Sequence, residues 1–85
     1  MKIKTQTNED VYKVKDLYEA SFIYASNIPL IRLEQVGNSY FFIFADRQIC
    51  EKARDDFWSY NTSIDAKRLT DAIKSLKERL FSNGR

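Results

Sequence analysis

The chain contains no histidine, and that absence removes the usual general base, the usual nucleophile–histidine triads and most zinc sites. A single cysteine, Cys50, allows neither an internal disulfide nor a cysteine metal cluster. The core must therefore hold by packing, as in a reducing compartment, and Cys50 is expected to be a small buried hydrophobe on a helix. The only glycines, Gly37 and Gly84, lie too far apart for a phosphate-cradling loop. With one proline, Pro29, the chain is neither linker nor disordered tail. No apolar stretch approaches the roughly 18 residues of a membrane span, and the first residues lack the layout of a signal peptide. The expectation is a soluble, cytoplasmic chain with no cofactor, no metal and no evident small-molecule substrate.

What is present is aromatic. Six Phe, five Tyr and one Trp in 85 residues compensate for few Val and Leu, because each ring buries a large area. A chain of this length makes one domain, residues 1–85. Its most legible stretch is LIRLEQVGNSYFFIFAD, Leu30 to Asp46, a β-hairpin turning at Gly37-Asn38. With a two-residue loop, Val36 faces Ser39, and the pairs Gln35 with Tyr40, Leu33 with Phe42 and Ile31 with Phe44 share one face. The other face carries Arg32, Glu34, Phe41 and Ile43. Tyr40 to Ala45 is a continuous apolar run, the pattern of a strand covered on both sides. What covers Phe41 and Ile43 is either another part of the same chain or a partner.

Three helices surround the hairpin. From Lys15 to Ser26 the apolar spacing is helical with a broad buried face, Asp16 and Glu19 stand in the first turn, and Asn27 is the terminus. Asp46 is a good N-cap for a helix to about Trp58, with Ile49, Ala53 and Phe57 four apart and Cys50 on the flank. Asp65 caps a third helix to about Ser82, where Leu69, Ile73, Leu76 and Leu80 form a stripe with Ala66, Ala72 and Phe81 beside it. Asn83-Gly84 reads as a left-handed stop. Met1 to Thr7 is either an edge strand or a frayed arm, with residues 1–10 assigned to that segment, and Thr62 to Ile64 is a candidate for a brief strand. The fold class is α+β, a two- or three-stranded antiparallel sheet packed with three helices.

Net charge is +2, with positive charge concentrated at both ends, +2 over residues 1–15 and +3 over residues 61–85. A nucleic-acid reading turns on whether those groups converge. Its candidate residues are Lys67, Arg68, Lys74 and Lys77 on the last helix, with Lys2, Lys4, Lys13 and Lys15 available to contact phosphates without reading sequence. Specific templates do not fit. SYFFIF has Phe41 where an RNA-recognition strand needs a small residue and Asn38 or Ser39 where it needs a basic one. The connection from Ser59 to Ile64 is too long for a helix-turn-helix. Asp16, Asp46, Asp55, Asp56 and Asp65 offer carboxylates for magnesium, but Asp46 and Asp65 are explained as caps, and adjacent Asp55 and Asp56 point to different sides of a helix.

The segments KDLYEASFIYAS at 15–26, YFFIFAD at 40–46 and AKRLTDAIKSLKERL at 66–80, in the order helix, hairpin, helix, helix, resemble a family of short bacterial and phage domains classed as a domain of unknown function. The resemblance spans about residues 12–82 and rests on patterns of fold, so it implies no activity and no residue role. Such domains often place Thr or Ser before the Lys-Asp-Leu start, and Val14 here leaves the first helix without that cap. The setting the resemblance implies is a phage or mobile-element regulator or inhibitor. Lacking histidine, a cysteine cluster and a glycine-rich loop, the chain is expected to be no enzyme. It is expected to bind a protein partner, or itself, through Arg32, Glu34, Phe41 and Ile43, with non-sequence-specific nucleic-acid binding by the last helix as the alternative.

Overall fold

A computed structural model describes residues 10–83, in the order β1 (Val11–Val14), α1 (Leu17–Ala25), β2 (Leu30–Val36), β3 (Ser39–Ala45), α2 (Arg47–Trp58) and α3 (Ala66–Asn83). The three strands form one antiparallel sheet in the order β1-β3-β2, so the apolar strand β3 is central. The third strand is Val11–Val14. No strand forms at Thr62 to Ile64, whose polar neighbours run as an irregular connection instead. The Met1 to Thr7 segment and the stop at Gly84 lie outside the described residues, as do Lys2 and Lys4.

The hairpin loop forms at Gly37-Asn38, with Gly37 at φ +63°, a conformation in which a Cβ would be strained. Val36 faces Ser39, Gln35 faces Tyr40 and Leu33 faces Phe42, in the register read from sequence. The register then shifts. Leu30, rather than Ile31, stands opposite Phe44, because an irregularity between Leu30 and Arg32 inserts one residue into β2. Ile31, expected on the covered face, is consequently 47% exposed.

One face of the sheet carries Tyr12, Val14, Phe42 and Phe44 into a core shared with Ala20, Phe22 and Ile23 of α1, Cys50 and Ala53 of α2 and Leu76 of α3. Full burial of a Phe, Ile or Leu side chain stabilises by about 1.5–3 kcal/mol, so Phe42, Phe44, Ile23 and Leu76 dominate the packing. Helix α1 has no amphipathic stripe: Glu19 to Ile23 are five consecutive buried residues, which at about 100° per residue encircle the helix. That is the pattern of a helix walled in on several sides. It packs along α3, against α2 and beside β1.

Caps define the helix ends. Asp16 lies before α1 in extended backbone rather than inside its first turn, and its Oδ1 accepts the Glu19 N–H at 2.8 Å. The start left uncapped by Val14 is therefore capped two residues later. Asp46, in left-handed backbone, accepts the Ile49 N–H at 3.4 Å, and Asp65 accepts the Arg68 N–H at 3.2 Å. On α2 the contact line runs through Cys50, Ala53 and Phe57, which turns Ile49 outward to 53% exposure. Helix α3 is eighteen residues long against nine for α1. At about 1.5 Å per residue it is twice the length of its partner, and Phe81 near its end is exposed.

Candidate functional site

The outer face of the sheet, opposite the core, is assembled from alternate positions of all three strands. Lys13 and Arg32 stand on either side of Ile43, and Glu34 stands opposite Phe41. Three charges meet there. Lys13 Nζ lies 3.0 Å from Glu34 Oε1, an oxygen shut off from solvent, and an Arg32 guanidinium nitrogen lies 3.4 Å from Oε2. Hydrogen bonding to Lys13, reinforced by Arg32, holds the Glu34 carboxyl below the usual carboxylate range.

The four residues expected at an interface do not fare alike. Ile43 is wholly buried although it lies outside the helix-side core, so it contributes packing rather than contact area. Phe41 and Glu34 are half-buried, and Arg32 is exposed. The accessible apolar surface lies toward β2, at Ile31 and at Val36, which is 55% exposed. The candidate surface is therefore displaced from the centre of the face to the β2 margin.

The two sheet edges differ. Edge strand β1 is four residues long, carries Lys13, and has its Val11 carbonyl engaged by an Arg47 guanidinium N–H at 3.3 Å. Short length and a lysine are common protections against edge pairing. Edge strand β2 is seven residues long, with Leu30 and Leu33 packed against the core, and among the described residues its backbone pairs on one side only, with β3.

The basic residues of α3 are not brought into one patch. Lys67 pairs with Asp71 at 3.0 Å, and Arg68 donates to Asn27 Oδ1 at 3.4 Å. Lys67, Asp71, Lys74 and Glu78 share one side of the helix by their spacing of four and three, so the outward surface alternates in sign. Lys77 lies to one flank. Lys13, offered as a further phosphate contact, is committed to Glu34.

A polar group that sequence reasoning missed sits beside the core. Glu19 is 7% exposed, its Oε2 accepting the Tyr12 O–H at 2.8 Å and its Oε1 the Trp58 Nε1–H at 3.1 Å. Burial, and then the hydrogen bond to Glu19, pushes the Tyr12 phenol up to about 12, while the Arg54 guanidinium lies over the ring at 5.9 Å. Next to Trp58 an apolar cleft of about 310 Å³ is lined by Phe22, Phe57, Tyr60, Thr62, Ile64 and Leu69 as well as the indole. Among the described residues no charged side chain lines it. Partners seven and thirty-nine residues from Glu19 leave no local signal by which this group could be read.

Cys50 is buried as expected. Its thiol donates to the Ala45 carbonyl at 3.3 Å, and burial, with Asp46 and Glu51 adding, pushes it up to about 11. That suppresses the thiolate. Among the described residues no cluster of Cys, Asp or Glu could hold a metal ion, and no helix is long and apolar enough to cross a membrane.

No protein-family model, no curated protein and no solved structure matches the chain.

Proposed function

We propose that the chain is a non-enzymatic binding protein that works through a protein–protein interface on the outer sheet face and the β2 edge, with Arg32, Glu34 and Phe41 in contact and Ile43 packing beneath them. The observation that carries this reading is a seven-residue edge strand that, among the described residues, is paired on one side only and carries exposed Ile31 and Val36. An edge of this kind presents unpaired backbone groups for strand addition, while alternate side chains supply specificity.

The test is co-purification by the tagged wild-type chain and by Phe41→Asp, with circular dichroism to establish folding. The wild type should retain a stoichiometric protein, its own untagged copy included, that the folded variant loses. Equal retention by both removes the outer face from the interface. An unfolded Phe41→Asp chain would place Phe41 in the packing and likewise count against the reading.

A further inference from the structure

We infer that the partner at this edge is a second copy of the chain, joined by antiparallel pairing of β2 with its own mate about a two-fold axis through Leu33; this rests on the interface reading above. The first support is the backbone. Val36 and Ser39 close a two-residue loop as a hydrogen-bonded pair, and alternation along an antiparallel ladder makes Glu34 with Phe41, and Arg32 with Ile43, hydrogen-bonded pairs as well. Past the irregular residue the ladder resumes, with the Ala45 N–H donating to the Pro29 carbonyl at 3.1 Å. The N–H and C=O groups of Leu33 and Gln35 therefore point away from β3. A two-fold axis at Leu33 sets its outward groups against those of Leu33 in the mate, the hydrogen-bonded register that free backbone groups require.

The second support is charge. Pairing about Leu33 places Arg32 opposite Glu34 of the second copy, and Glu34 opposite Arg32, so the edge is complementary to itself. It would also set half-buried Leu33 against its equivalent on the helix side. The other edge offers no such match, since β1 carries only Lys13 as a charged residue.

Sedimentation equilibrium, run from low micromolar to high micromolar concentration, tests this on the wild type, on Arg32→Glu, on Glu34→Arg and on an equimolar mixture of the two variants. The wild type should reach twice the 10.0 kDa mass of the chain. Each single variant sets like charges opposite each other at both ends of the pairing and should dimerise on the order of tenfold to a hundredfold more weakly. The mixture should recover the dimer, because the two acidic side chains of the Arg32→Glu strand then face the two basic side chains of the Glu34→Arg strand. A mixture that stays monomeric overturns the axis at Leu33, and single variants that dimerise like the wild type overturn the edge.

Amide exchange on the wild type gives a second readout that needs no variant. Leu33 N–H protection should rise with protein concentration, while Arg32 and Glu34 N–H stay protected throughout. Leu33 protection that does not change with concentration would refute the pairing. A monomeric wild type ends the self-association proposal alone if a different protein is still lost on Phe41→Asp. If no partner of either kind responds to that substitution, the broader reading falls with it.

Discussion

Replacing Tyr12 with Phe removes one oxygen from the core's polar margin and should change both stability and its dependence on pH. The Tyr12 hydroxyl donates at 2.8 Å to Glu19, a carboxylate that is 7% exposed and has the Trp58 indole as its other partner. A hydrogen bond to a charged group contributes about 1.5–3 kcal/mol, and its loss leaves a buried oxygen short of a donor. Tyr12→Phe should therefore lower stability by about 2 kcal/mol at pH 7, or roughly 10 °C in Tm for a domain of this size.

The pH dependence follows from the raised phenol. Folding lifts its pKa from 10.0 to about 12, so the folded state prefers the neutral form. The associated stability is complete below about pH 10 and is lost as pH rises toward 12. At about 1.4 kcal/mol per pKa unit the stability that titrates away reaches at most about 3 kcal/mol, arising first from burial of the phenol and second from its hydrogen bond to Glu19. Urea melts of both proteins at pH 7 and pH 11, followed by the fluorescence of Trp58, the only tryptophan, give the difference directly. Taking the difference cancels groups common to both chains. A gap of about 2 kcal/mol at pH 7 that narrows by pH 11 is expected. A variant within about 0.5 kcal/mol of the wild type at pH 7, or a gap that does not change with pH, would show that the Tyr12–Glu19 contact is not what stabilises this corner.

Cys50 should react with a thiol reagent at pH 8 at least about a hundredfold more slowly in the native protein than in urea, because it is fully buried and its thiol is raised to about 11. Similar native and unfolded rates would contradict that environment. Labelled single-stranded DNA, duplex DNA and RNA should show no micromolar binding at physiological salt in fluorescence anisotropy, since Asp71 and Glu78 interrupt the basic side of α3. Binding that falls steeply with salt and is lost in Lys74→Glu with Lys77→Glu would restore the nucleic-acid alternative.

Features that depend on neighbours in the chain were legible before the structure. Gly37-Asn38 sets its own turn, and Asp46 and Asp65 cap from within three residues of the N–H they accept. Features that depend on distant partners were not. Val-Tyr-Lys-Val at 11–14 is too short for an alternation to declare itself, and it becomes a strand because β3, some thirty residues on, offers it an edge. The irregularity at Ile31 leaves no mark in composition. Helix α1 was legible as broadly apolar, but not as walled in, since its surroundings come from α2, α3 and β1 together. On the outer sheet face, which residues share a side was legible from alternation. Which of its residues stay accessible was not, because the burial of Ile43 and the exposure of Ile31 depend on packing across strands.

The distances around Glu34 bear on how an outer-face cluster can also serve an edge. Lys13 approaches at 3.0 Å and Arg32 at 3.4 Å, so Glu34 has two cations for one carboxylate, and Lys13 is the closer. Arg32 is exposed, and an exposed pair within one strand contributes at most about 1 kcal/mol. Turning Arg32 toward a second chain therefore costs the monomer little, since Lys13 still holds Glu34. Glu34 in turn has acceptor capacity for a guanidinium arriving from outside, because a carboxylate can accept from several donors at once. Within one chain the cluster carries one positive charge more than it neutralises, and in the proposed dimer an antiparallel mate would bring the same cluster in reverse order, so that each spare arginine would meet a carboxylate. Arg32→Glu should accordingly leave the monomer's urea midpoint almost unchanged while weakening association, a separation that a purely structural role for Arg32 would not produce.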